Sequence, residues 1–289
     1  MELRMESLTV GYGGDPVIKD VDLVFDKPQL VSILGPNGVG KSTLVQCIDN
    51  LLKPVSGKVL LDKKPVEEYE PRELAKRIGY VPCASYTSFP MTVADTVLIG
   101  RYPRNGRKRT DRDLRIVHSS LKLLGIEDLA LRSFNELSAG QHQKVVLARG
   151  LAQETDVLIL DEPTSNLDIK HQISVSRILK MLSERREMLI IMISHDLNIA
   201  SRFSDRIILL HDGGVFADGS PSEVLTSENI NAVYGIRSKV LEQNGRPYIV
   251  IDADEDGSIS VDDIDGLFPP EERWRLEDWR QGCDWRRAT

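Results

Sequence analysis

The stretch that most limits what this chain can become is Gly35-Pro36-Asn37-Gly38-Val39-Gly40-Lys41-Ser42-Thr43. A continuous apolar run over 30–34 precedes it, and a helical pattern over 43–52 follows. Apolar strand, glycine-rich turn and helix in that order form a unit that cradles phosphate. The glycines let backbone N–H groups turn inward around a β- and a γ-phosphate. The helix start adds partial positive charge, and Lys41 adds a full one. The Ser42 hydroxyl can ligate Mg²⁺. A chance glycine-rich turn would lack the strand before and the helix after. Alone, the loop says only that a nucleotide binds, since many NTPases share it.

The rest of the pattern suits a sheet that could hold such a loop. Short apolar runs over 157–160, 189–193 and 207–210 look like strands covered on both faces. Helical spacing appears at Leu114, Val117, Leu121 and Leu124, stopped by Gly125, and again at Val175, Ile178, Leu179 and Leu182. Strands alternating with helices predict an α/β fold with a mainly parallel sheet. A net charge of −7 argues against nucleic acid as the main partner. No run approaches the roughly 20 apolar residues of a membrane span. Glu2, Arg4 and Glu6 interrupt any secretory leader, so the chain is expected in the cytosol, reaching a membrane only through a partner. Cys47, Cys83 and Cys283 are scattered and odd in number, which implies no disulfide framework.

A second element makes the nucleotide reading chemical. The run 157–160 ends in Asp161-Glu162. A carboxylate at a strand tip beside a phosphate loop suits Mg²⁺, and Asp161 fits that role. Glu162 next to it can polarise an attacking water as general base. A solvated acidic pair is the bland alternative, and the loop's presence weighs against it. About twenty residues earlier, Leu137-Ser138-Ala139-Gly140-Gln141 has the S-x-x-Q spacing of a helix capping box. A capped helix start with a glycine is a second anion site.

Here the chain resembles the ATP-binding-cassette (ABC) ATPases. Their signature is usually Leu-Ser-Gly-Gly-Gln; this chain has Ala139 for the first glycine and keeps Gly140. The resemblance implies an ABC-type P-loop NTPase domain over 1–240. It carries an antiparallel β portion near its start and an inserted helical subdomain around 85–155. It further implies a head-to-tail dimer, in which Ser138, Gly140 and Gln141 face ATP held by the loop of the other copy. Tyr12 matches the aromatic residue that stacks on adenine. Ser165-Asn166-Leu167-Asp168 matches the dimer-interface loop. His195, in Ile193-Ser194-His195-Asp196, matches the histidine that reaches the γ-phosphate. One departure stands out. The family has glutamine at the position of Cys83, and a neutral thiol is a poor ligand for oxygen-loving Mg²⁺. Hydrolysis slower or less coupled than usual is the expectation, with a Cys83 that is simply tolerated as the alternative.

The stretch 81–104, with Phe89-Pro90-Met91-Thr92-Val93 and Gly100-Arg101-Tyr102-Pro103, is similar to ATPases of iron-siderophore, haem and vitamin B12 importers. So are 195–200 and 205–235. In that subfamily two ATPase copies drive two multi-span permeases at the cytoplasmic membrane face, and a substrate-binding protein delivers the ligand. Phe89 and Pro90 would lie near the permease groove, with core packing the alternative. A zinc or manganese importer would share every catalytic motif. A non-transport ABC ATPase would more often carry a coiled coil or a second cassette, and no sustained heptads occur. The basic run Arg101, Arg104, Arg107, Lys108, Arg109 and Arg112 is expected to be a solvated loop rather than a nucleic-acid surface. Residues 241–289 look like an extension carrying all three tryptophans. Within it, Asp252, Asp254, Asp256, Gly257 and Asp263 have the spacing of a Ca²⁺ loop. A strand-like run over 248–251 stands where such a loop expects a helix, and a solvated acidic turn is the alternative.

Overall fold

The computed structural model describes residues 1–83, 91–106 and 108–252. The chain opens with β1 (Leu3–Val10) and β2 (Ile18–Phe25), paired antiparallel. It then enters β3 (Gln29–Leu34), turns through the glycine-rich loop and forms α1 (Lys41–Ile48). β4 (Ser56–Leu61) and the short β5 (Lys64–Pro65) complete a four-stranded sheet of order β2-β1-β4-β5. α2 (Pro71–Arg77) starts on a proline, which needs no N–H donor there, and leads into β6 (Ile78–Val81).

A helical block follows: α3 (Val93–Leu98), α4 (Tyr102–Asn105), α5 (Asp111–Leu123) and α6 (Ala139–Ala152). Thr110 and Asp113 form a capping box at the start of α5, and Gly125 takes φ +63° just beyond its end. The chain returns to the sheet in β7 (Val157–Asp161), crosses over through α7 (Ile169–Arg185) to β8 (Leu189–Ile193), then α8 (Leu197–Phe203) and β9 (Arg206–His211). β10 (Gly214–Gly219) adds the antiparallel edge of a six-stranded sheet, β10-β9-β3-β8-β7-β6, whose other strands run parallel. α9 (Pro221–Val224) and α10 (Ser227–Tyr234) lead to a hairpin of β11 (Ser238–Gln243) and β12 (Arg246–Ile251).

The expected apolar runs are the central strands; 189–193 keeps its bounds as β8, and the others gain polar end residues that the ladder absorbs: Gln29, Asp161, Arg206 and His211. Their side chains alternate between the two faces of the sheet. Val31, Ile33, Val157, Ile159, Leu189, Ile191 and Ile193 pack with α1 and the small sheet. Leu30, Leu158, Leu160, Ile190 and Met192 pack with α3, α5, α6 and α7. Both faces of the large sheet are thus covered, which is why its strands read as unbroken apolar runs.

Two expectations need correction. The basic run is not simply a solvated loop. Arg101 is 3% exposed. It donates to Asp113 Oδ1 at 2.9 Å, to Ala152 O at 2.6 Å and to Glu154 at 2.8 Å. Arg104 hydrogen-bonds the carbonyls of Gln153 and Glu154. These arginines fasten the helical block to the turn before β7, so their charge is spent inside the fold. The boundary near residue 240 also falls within β11. Ile249 of the hairpin is buried with α8, α9 and α10. Asn198 holds its backbone on both sides, donating to Ile249 O at 3.1 Å and accepting from Ile249 N at 2.8 Å. The compact unit therefore runs to the end of β12. Phe89, Pro90, Arg107, the Ca²⁺-loop residues after Asp252 and the three tryptophans lie outside the described residues, and no group of three or more His, Cys, Asp or Glu side chains placed to hold a metal occurs among the described ones.

Candidate functional site

The strand register levels the tips that matter. Ile33 of β3 and Asp161 of β7 both lie opposite Ile193 of β8. Gly35, Glu162 and His195 therefore emerge at one end of the sheet, its C-terminal edge, where open parallel sheets bind ligands.

The cradle is shaped by backbone. Gly35 takes φ +147°, and a Cβ there would stand 2.5 Å from Leu210 O. Gly40 takes φ +102°, with Ile18 Cδ1 only 2.7 Å from where a Cβ would be. Any side chain at either point would break the turn. Pro36, Asn37, Gly38 and Val39 complete the loop, and Gly40 caps α1 without any side-chain hydrogen bond. The first-turn N–H groups of α1 are therefore not claimed by a capping side chain, as an anion site requires. Lys41 is 6% exposed and donates to Gly35 O and Pro36 O, both at 2.8 Å. Burial lowers its pKa, while Glu162 and Asp161 oppose that shift. Thr43 accepts or donates to the Tyr12 hydroxyl at 3.3 Å, and Tyr12, 65% exposed, stands at the rim as a flat platform.

The carboxylates each carry two donors. Asp161 receives Ser42 Oγ on Oδ1 and Tyr80 Oη on Oδ2, both at 3.2 Å. Burial raises the Asp161 pKa, with those hydrogen bonds working against the rise. Glu162 is paired through Oε1 with His195 Nε2 at 2.6 Å, and Cys83 Sγ lies 3.7 Å from Oε2. Glu162 takes φ +51°, a left-handed conformation that a non-glycine residue adopts only when its surroundings hold it there. Cys83 has its pKa raised by burial first and by Glu162 second, so the thiol stays protonated beside the carboxylate.

The residues read from sequence divide in two. The loop Gly35–Thr43, Tyr12, Asp161, Glu162 and His195 converge at one edge. Ser138, Gly140 and Gln141 do not join them. Ser138 and Gln141 satisfy each other at the start of α6: Ser138 N donates to Gln141 Oε1 at 3.0 Å and Gln141 N donates to Ser138 Oγ at 3.4 Å. Gly140 faces the backbone of Asn166, whose oxygen would lie 3.3 Å from an added Cβ. Tyr80 was missed by motif reasoning. Its signal was a phenol in an apolar strand just before a turn, paired in register with Ile159 and so on the Asp161 face.

Fold and site define an ATPase built around a phosphate loop with a strand-tip carboxylate pair. Residues 18–165 match the family described as ABC transporter, and the chain belongs to it. It is similar to the ferric enterobactin transport ATP-binding protein of Escherichia coli, 36% identical over 86% of this chain and 93% of that one. Among solved structures it is similar to a metal-chelate type ABC transporter in an inward-facing conformation. That match has TM-score 0.74 and 28% identity, covering 86% of this chain and 96% of that one. It is also similar to a dimeric ATP-binding cassette in a post-hydrolysis state with ADP and phosphate. There the TM-score is 0.69 and the identity 30%, covering 75% of this chain and 98% of that one. As a member of the family the chain binds and hydrolyses ATP. No helix among the described residues is long and apolar enough to cross a membrane.

Proposed function

We propose that this chain is the motor of an importer for a metal chelate or similar large cofactor: an iron(III)-siderophore complex, haem or cobalamin. The observation that carries the ATPase half is the convergence of Ser42–Asp161 and His195–Glu162 beside the Gly35–Lys41 cradle. The cargo class rests on similarity to the enterobactin protein along nearly its full length.

ATP lies with its β- and γ-phosphates against the N–H groups of the loop, its charge met by Lys41 and the start of α1. Its adenine stacks on Tyr12, whose exposed face is otherwise uncovered. Ser42 and Asp161 are hard oxygen donors that suit Mg²⁺, which would neutralise charge on the phosphates. Glu162 takes the proton of the attacking water, and His195 holds the Glu162 carboxylate in place through Oε1 and meets the γ-phosphate. Such positioning places the reacting atoms within range and stabilises charge as it develops. The second copy contributes Ser138, Gly140 and Gln141 to the same ATP, so that ATP closes a head-to-tail dimer and hydrolysis reopens it. Two permease copies convert that closure into transport, with a binding protein supplying cargo outside and the ATPase docked on the cytoplasmic membrane face.

The test is copurification from membranes with the tagged chain as bait and mass spectrometry as readout. Recovery of a multi-span permease supports the importer reading and leads to its binding protein, whose ligand can be titrated. Recovery of soluble partners or nucleic acid alone keeps the ATPase and removes the transport role.

A further inference from the structure

Tyr80 lies outside every motif, yet it touches the centre of the site. Its ring packs in the apolar layer between the two sheets, and its hydroxyl ends on Asp161 Oδ2 at 3.2 Å. On the other side Asp161 Oδ1 takes Ser42 at 3.2 Å. Tyr80 pairs with Ile159, so Asp161, two residues on, shares its sheet face. Gln46 of α1 lies beside the same phenol. The phenol pKa is driven up to about 12, by burial first and by the Asp161 charge second, which keeps it a donor toward the carboxylate. Packing alone would be served as well by phenylalanine. A hydroxyl spent on one oxygen of a strand-tip carboxylate does something more.

We propose that Tyr80 is a positioning residue for metal-nucleotide binding: by holding Oδ2 it turns Oδ1 of Asp161 toward Ser42. The inference rests on reading Ser42 and Asp161 as the Mg²⁺-holding pair. The terminal torsion of an aspartate is broad and two-fold. With a donor on only one oxygen the carboxylate swings; with one on each it is fixed. Partners of this kind, one step behind a ligand, typically change metal affinity by about 10–100-fold when removed.

The experiment uses the purified full-length chain and a fluorescent ADP analogue, titrated with Mg²⁺ and separately in EDTA. Tyr80→Phe keeps the ring and removes the hydroxyl. The expected result is a Mg²⁺ midpoint raised about tenfold, with analogue affinity in EDTA unchanged. Should Tyr80→Phe fold poorly, Gln46→Leu leaves Tyr80 in place but removes the polar side chain beside its hydroxyl. It should raise the midpoint in the same direction, and an unchanged midpoint there overturns the proposal. An unchanged midpoint in folded Tyr80→Phe overturns it too, as does an equal loss of affinity with and without Mg²⁺, which marks a packing role. Wild-type binding that ignores Mg²⁺ sinks the metal-pair reading itself and the inference with it, so the two failures are distinct.

Discussion

Asp49 ends α1 with a carboxylate whose pKa burial pushes up to about 7. The folded chain therefore binds a proton there that the unfolded chain, with an ordinary value of 3.8, releases. Between about pH 4 and pH 7 stability must fall as pH rises, because the native state holds more protons in that window. That penalty is present above pH 7 and absent below pH 4. Asp49→Asn should leave stability unchanged near pH 4 and raise it at pH 8, read by urea unfolding at the two pH values. A gain equal at both would place the effect in packing rather than charge. Cys83 supports a second residue-scale expectation. It offers a protonated thiol toward Glu162 where the family has an amide whose oxygen suits Mg²⁺. Cys83→Gln should raise the permease-stimulated ATPase rate, and an unaltered rate would remove the thiol from the list of limits. Both residues show how far sequence reaches. The departure at Cys83 was visible in the motif, whereas burial of Asp49 depends on what α1 packs beside and leaves no local trace.

The elements were legible in proportion to how much of their pattern is local. Runs such as Leu189–Ile193 are buried on both faces, so composition alone marked them as strands. The glycine-rich turn was legible because its shape is written in residues that alone tolerate it. Lys108, Arg109 and Arg112 are exposed as expected, but Arg101 and Arg104 were misread because a charge says nothing about its partner's distance in sequence. Arg101 meets Asp113, twelve residues on, and Glu154, fifty-three residues on. Burial by itself would raise the Asp113 pKa, but hydrogen bonds from Thr110, Arg101 and Asn105 hold it at about 2. Removing Arg101 would leave that carboxylate buried without its cation, a change worth roughly 3–5 kcal/mol. Arg101→Met should thus destabilise by that order in urea, and adding Asp113→Leu should recover much of the loss. A double variant as unstable as the two losses added together would show that the pair was not coupled. Because Arg101 also holds Ala152 O at 2.6 Å, the same variant should loosen the helical block where it meets β7.

At the scale of the whole molecule, the residues read from sequence as one site do not all meet within one chain. Ser138 and Gln141 close on each other at the start of α6 instead of meeting the loop that begins at Gly35. Motif order along the sequence could not reveal this, since order is the same whether two motifs meet within a chain or between chains. The head-to-tail pair we propose would resolve it: the cradle, Asp161 and Glu162 would come from one copy and Ser138 from the other. That arrangement has a consequence that a self-sufficient chain cannot imitate. Ser138→Arg spoils the partner's ATP site, while Glu162→Gln spoils its own; each homodimer is then inactive at both sites. In a mixed dimer one site pairs the intact Glu162 of the first variant with the intact Ser138 of the second, and the other site carries both lesions. Random mixing at equal concentrations makes half the dimers mixed, each with one good site of two, so about a quarter of wild-type ATPase activity should return. The measurement is phosphate release from each variant alone and from the mixture, combined before ATP is added. If every site were complete within its own chain, mixing two dead variants would give nothing above their sum. Recovered activity therefore requires that each ATP be cut between two copies.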